Sequence, residues 1–331
     1  ADFSALLATV ERQGRLLDTL SQQLADQQCV AAADTTTITG LSGSGMWHFG
    51  VLAGNDKIYG IPYNSASVII IDPTTNTADT TVITGLSGKW VGAVLAINGN
   101  IFGIPHTSAS VLIIDPTTNT TDTTSITGLG GGDKWVDGVL AGNGKIYGIP
   151  YHSASVLIID PTTNTADATS ITGLDGNGKW YGGVLAGNGM IYGIPHYSTS
   201  ALIIDPTTNV VDTTTITGLS GSAKWAGGVL ADNGKIYGIP YSSASVLIID
   251  PESNTVDTTT ITGLTERMKW CGGVLAGNGK IYGIPSRSTS VLIIEPTTNT
   301  ADTTFITGLS GDDKCYGGVL AGNGKIYGIP S

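Results

Sequence analysis

The chemistry open to this 331-residue chain rests on few side chains: four histidines, three cysteines and six tryptophans. The histidines are His48, His106, His152 and His196. His106 and His196 share one offset of a recurring unit and stand two units apart, with His152 displaced by one residue. Three converging imidazoles would hold a metal, but no sequential spacing matches a ligand set. Asp72, Asn76 and Asp79, with their repeats, supply oxygens of the kind calcium takes. The same residue types close Asx turns, which is the expectation here. No cofactor is expected, and calcium is the one ion considered. The chain contains no G-x-S-x-G, phosphate-binding loop or H-E-x-x-H. No serine has an evident base, so no catalytic residue is assigned.

Binding chemistry is better represented. Trp47, Trp90, Trp135, Trp180, Trp225 and Trp270 recur at regular intervals, and Lys89, Lys134, Lys179, Lys224 and Lys269 each precede one. Such rings make platforms for sugars or peptides. They also wedge between sheets, where each buries ~200 Å². After a recurring G-I-P come Tyr63, His106, Tyr151 with His152, His196 with Tyr197, Tyr241, and Arg287 after Ser286. These are candidate lining residues of the same pockets, or exposed caps. Near-equivalent sites of this kind give multivalent, low-affinity recognition. Cys271 and Cys315, at neighbouring offsets of adjacent units, are candidates for a disulfide. Cys29 is then left for an intermolecular bridge; the alternative is three free thiols.

The elements that position these residues follow from the repeat. I-[YF]-G-I-P begins at Ile58, Ile101, Ile146, Ile191, Ile236, Ile281 and Ile326, with one spacing of 43 and five of 45 residues. I-T-G-L also occurs seven times, from Ile38 to Ile306. In the unit 180–219, Gly183 to Ala186 reads as a strand and Asn188-Gly189 as a type I′ hairpin turn. Met190 to Ile194 is a second strand ended by Pro195, and Ala201 to Ile204 a third, apolar on both faces. Asp212 to Thr217 reads as a polar outer strand. Four short strands every 45 residues predict an all-β fold, a seven-bladed β-propeller over residues 34–331; a sandwich or β-solenoid is the alternative.

The stretch K-I-Y-G-I-P-Y-S-S-A-S-V-L-I-I-D-P-E-S-N-T, Lys235 to Thr255, resembles the YVTN repeat of surface-layer propellers, and its D-P-x-x-N-T portion resembles kelch repeats. The resemblance spans about nine-tenths of the chain and implies propeller architecture. Those families include adhesion modules, protein-binding platforms and some enzymes. G-I-P replaces their V-T-N or double-glycine signature, so no functional residue carries over.

The third strand occurs six times. Asp34–Leu41 is expected to join the last blade. The missing strand is expected from a chain running past Ser331 or from residues near Cys29–Ala33, rather than from another subunit by strand addition. Residues 1–33 read separately. Phe3, Leu6, Val10, Leu17, Leu20 and Leu24 fall on heptad positions, with Gln13 and Gln27 as polar interruptions. They predict an amphipathic helix, either a coiled coil or a helix lying on the propeller.

Composition bounds the function. Hydrophobic residues are 40 %, charged residues 12 %, and glycine numbers 47. That is too apolar for a disordered chain and too glycine-rich for a helical one. No apolar run approaches the ~20 residues of a membrane span. The net charge of −11 opposes nucleic acid as a partner. The chain begins at Ala1, as a mature or trimmed form would. Abundant Thr, Gly, Ser and Asn suggest an extracellular or cell-surface protein.

The leading expectation is therefore a noncatalytic surface assembly or adhesion module, partnered by itself or other surface proteins through unguarded Thr-rich outer edges. The alternatives are a lectin-like propeller binding glycans and a lyase or hydrolase with its site over the axial channel. In each, the variable second-to-third loops and inter-blade connections share the candidate face.

Overall fold

A computed structural model describes residues 32–331. The expected heptad helix and Cys29 lie outside the described residues, and among the described residues there is no helix. Residues 36–331 form one compact unit of twenty-six strands.

The fold is a six-bladed propeller of four-stranded antiparallel blades. This corrects the expectation of seven. The seventh repeat forms only the hairpin Cys315–Leu320 and Ile326–Pro330. The missing partner is a third strand, and residues 34–41 do not supply one, since they adopt no strand. Ile38 and Leu41 instead pack, partly buried, against Val319, Ala321 and Ile329 of the hairpin and Trp47 of the first blade. The hairpin closes the circle. Its inner strand lies between the inner strands Trp270–Leu275 and Trp47–Leu52.

Each blade meanders outward. In the unit read above the strands are Trp180–Leu185, Ile191–Pro195, Leu202–Asp205 and Val210–Asp212. The outer strand is three residues long and ends where Asp212 accepts hydrogen bonds from the Thr214 and Thr215 amides (2.6 and 3.1 Å). The expected strand from Asp212 to Thr217 is therefore a carboxylate-capped turn. The Thr215 hydroxyl, which also donates to this carboxylate, and the Thr214 amide hold the aspartate's pKa down, to about 2. The first hairpin also differs from expectation. Ala186 N–H bonds the Met190 carbonyl, and only Gly189 takes a positive φ, 81°. That is a three-residue turn with its glycine at the left-handed position.

Apolar side chains on both faces of the middle strands pack between blades. Trp180 sits in a cluster with Tyr147, Ile149 and Val156 of one blade and Ile191, Leu202 and Ile204 of the next. All six tryptophans are 0–4 % exposed. Each indole N–H donates to a serine carbonyl twenty residues on, as Trp180 to Ser200 (2.8 Å).

A polar clasp joins the opposite rims. Tyr192 Oη donates to Asn254 Oδ1 of the next blade (2.6 Å), while Asn188 Nδ2 donates to the Pro251 carbonyl (2.9 Å). In the second blade the tyrosine is replaced by Phe102, and the facing Asn164 Oδ1 is buried without a partner.

Three stability outcomes follow. Phe102→Tyr supplies the missing donor and should stabilise the fold by about 0.5–1.5 kcal/mol, whereas Tyr192→Phe should destabilise it by about 1–3 kcal/mol. Trp180→Ala should cost about 3–5 kcal/mol through the cavity between blades. Urea unfolding midpoints check all three.

Candidate functional site

The inner strands carry an irregularity that builds the site. In each of the seven, one extra residue is inserted between the tryptophan (or Cys315) and the position three residues on. Such a bulge re-aims side chains. Here it turns two successive positions toward the axis.

The first of these is the residue after each tryptophan or Cys315. His48, Val91, Val136, Tyr181, Ala226, Cys271 and Tyr316 form the lower wall of an axial funnel enclosing about 270 Å³. The upper wall is the position after G-I-P: Tyr63, His106, Tyr151, His196 and Tyr241. The rings pack continuously. His48 stacks on Tyr63 at 4.2 Å and on Tyr316 at 4.4 Å. Tyr151 meets Tyr181 edge-on at 5.8 Å, and His196 lies 5.4 Å from Tyr181 and 5.7 Å from Tyr241.

The second position narrows the channel beneath. It is glycine in five repeats, all at positive φ, and the backbones nearly touch: a Cβ on Gly227 would lie 2.9 Å from Gly272 Cα. Two repeats depart from glycine. Phe49 (φ 58°) lies over Gly317 and Gly272, and Asp137 (φ 68°) lies beside Gly92 and Gly182. Asp137 is half-buried, partly open to the channel. Its Oδ1 accepts a hydrogen bond from Gly138 N–H (2.9 Å). Burial nevertheless raises its carboxyl pKa to about 6.

Burial also governs the other titratable groups. His48 is pushed down to about 3 by desolvation, helped by His106 and Lys89. His106 and His196 are pushed down to about 4 by the same desolvation, partly countered by Asp133 for the one and by the Trp225 carbonyl for the other. The funnel histidines are therefore neutral near pH 7. Desolvation raises Tyr151 to about 12 and Cys271 to about 12, so both keep their protons. His196 Nδ1 lies 2.9 Å from the Trp225 carbonyl and is its donor, which leaves Nε2 as an acceptor. His106 is 7 % exposed. Its Nδ1 is closed to solvent and lies 3.2 Å from Asp133 Oδ1.

The structure thus gathers Tyr63, His106, Tyr151, His196 and Tyr241 into one axial site. His152 stacks on Tyr151 at 4.7 Å, and the half-exposed Tyr197 meets His196 edge-on at 4.9 Å. Arg287 forms a two-pronged pair with Asp313 (3.1 Å each). The tryptophans are not brought to it. Trp47, Trp90, Trp135, Trp180, Trp225 and Trp270 present no open ring face. Their lysine neighbours act as staples: Lys134 Nζ donates to the His106, Ser108 and Gly131 carbonyls (2.9, 2.9 and 2.8 Å), tying one blade's funnel loop to the next. Desolvation lowers that ammonium to about 8.

Of the two readings of Cys271 and Cys315, a disulfide or free thiols, the structure has free thiols. Cys271 faces the funnel, whereas Cys315 packs in the tryptophan position against Gly328. The considered calcium ligands have other work. Asp72 caps the Thr74 amide (2.9 Å), Asp79 the Thr81 amide (2.7 Å), and Asn76 accepts from Tyr327 (2.6 Å). Among the described residues, no group of three or more His, Cys, Asp or Glu is placed to hold a metal. Sequence reading missed Tyr181, Tyr316, Asp133, Phe49 and Asp137. The signal for the last two was available: they interrupt a glycine two residues after each tryptophan.

No protein-family model and no curated protein matches the chain. Solved structures do. A streptogramin B lyase superposes with a TM-score of 0.71 at 11 % identity, over 88 % of this chain and 92 % of that one. An extracellular domain of a one component system from B. thetaiotaomicron gives 0.67 at 12 % identity, over 89 % of this chain and 40 % of that one. An auxiliary nutrient binding protein from Bacteroides ovatus gives 0.53 at 15 % identity, over 72 % and 66 %. At these identities the likeness shows the propeller fold alone.

The pKa shifts fix a pH dependence. His48, His106 and His196 bind protons less readily folded than unfolded, so stability should fall as pH drops from about 6.5 to about 4. Asp137, whose folded pKa is raised, works in the opposite sense between its unfolded value and about 6. Melting temperatures between pH 7 and pH 4 should decline in the native chain. The decline should flatten when the three histidines are replaced by glutamine.

Proposed function

We propose that the chain is a noncatalytic ligand-binding propeller working outside the cell or at its surface, which seats one small ring-bearing ligand, a sugar or an arene, in the axial funnel. The observation that carries this reading is the funnel itself, about 270 Å³ walled by tyrosines and neutral imidazoles such as Tyr151, Tyr181 and His196, with His196 Nε2 left as an acceptor. Tyrosine and neutral imidazole faces offer π surface around it. About 270 Å³ suits a single ring rather than a polymer.

The reading replaces several equivalent sites with one, because the tryptophan faces are closed. It also departs from lateral assembly. Outer strands of three residues, such as Thr165–Asp167, are too short to favour edge pairing between molecules. The Bacteroides ovatus structure, a nutrient binding protein, lends the binding reading compatible company.

A lyase is the second reading, favoured by His196, whose fixed tautomer keeps a neutral Nε2 acceptor at the funnel. Mass spectrometry of any bound ligand after long incubation separates the two, since a binder returns it unchanged.

The test is calorimetric titration with a panel of monosaccharides and small arenes. One class should bind, with Tyr151→Ala and His106→Ala each weakening it about tenfold or more, or about 1.4 kcal/mol. Tyr197→Ala, outside the cavity, should leave affinity within about twofold. Folded protein that binds no member of the panel refutes the reading.

A further inference from the structure

Asp137 has a property the funnel reading does not use. It is a carboxylate in the channel neck, one residue below the Val136 wall, at a position where five of the seven repeats carry glycine. Nothing in the fold requires a side chain there. The glycine repeats make the same bulge at the same positive φ, and a non-glycine residue at that φ is itself uncommon.

The carboxylate is also unpaired. Among the described residues no Lys, Arg or His forms a salt bridge with it, although amides of Gly138 and Gly183 hydrogen-bond to it. Burying a carboxylate without a counter-charge is costly. The funnel walls offer none, since His48, His106 and His196 are neutral near pH 7. The buried lysines around the mouth are committed to carbonyl oxygens, as Lys134 and Lys224 are.

Tyr181, Tyr316, Tyr151 and Tyr241 wall the funnel together with Val136, the residue before Asp137, and with Cys271, which feels the Asp137 charge. Aromatic faces around a cavity attract cations, and most strongly where water is excluded. An acid beneath an aromatic collar is the arrangement that an organic ammonium ion completes, and Asp133 adds a second carboxylate on the funnel wall. The chain's net charge of −11 would draw such a ligand in.

Resting on the funnel reading, we propose that Asp137 makes the site selective for a ring-bearing organic ammonium: the ring seats among the tyrosines and imidazoles, and the ammonium pairs with the Asp137 carboxylate at the neck. Asp137 is thus the specificity-determining residue, and the ligand supplies the cation that the fold withholds.

The probes are tyramine and 4-ethylphenol, which share a ring and differ by the amine. Calorimetric titration at pH 7.5 and low salt is run on the native chain, Asp137→Asn and Asp137→Gly. Asparagine tolerates positive φ, and glycine is the residue of five other repeats, so both variants should fold. Tyramine should bind the native chain at least about tenfold more tightly than 4-ethylphenol. Both variants should bring the ratio close to one while 4-ethylphenol binding stays unchanged. Equal affinity for the two probes in the native chain, or a preference that survives in both variants, overturns the ammonium assignment and leaves the funnel reading standing. Failure of folded native chain to bind either probe overturns the assignment, and the saccharide titrations then decide the funnel reading separately.

Discussion

The structure depends on the burial of both faces of each blade against its neighbours. A sheet of four short strands with Ile, Leu, Tyr and Val on both sides cannot stay dry alone, and only a circle gives every sheet two partners. Trp180 and its five equivalents fill the gap at the inner end, and the Asn–Tyr clasp ties the opposite rim. The lysine staples fasten the funnel loops. Each device joins one blade to the next rather than strengthening a blade internally.

That division of labour explains how the funnel arises. The scaffold residues repeat almost without change because every interface has the same shape. The residue after G-I-P and the residues after each tryptophan face the axis, where no interface constrains them. The bulge adds one residue per inner strand, which aims two side chains inward at adjacent levels. A collar of rings over a glycine-lined neck follows from that single insertion.

Much of the scaffold was legible in the sequence. The 45-residue period, the Pro-punctuated strands and the apolar runs such as Val246 to Ile249 identify a propeller. The blade count was not legible, because counting I-Y-G-I-P registers the Ile326 hairpin as a full blade although only two strands form there. The outer strand was misplaced because Thr-rich sequence has high β propensity, and Asp212 overrides it by capping the turn. The lining residues after G-I-P were readable as variation at a fixed offset. Asp137 and Phe49 were visible as breaks in a recurring glycine, but their placement at the axis was not, since the bulge is a backbone event that no hydrophobic pattern encodes. The tryptophans drew attention as a binding surface because composition cannot distinguish a wedge from a platform.

The hairpin sector carries a packing consequence. Ile326 and Tyr327 are half-buried, whereas their counterparts Ile191 and Tyr192 are fully enclosed. On the other side Tyr282 bonds Asn278 but meets no turn of a following blade. Among the described residues, the sector between Trp270–Leu275 and Trp47–Leu52 thus gives its two neighbours less buried surface than a four-stranded blade gives.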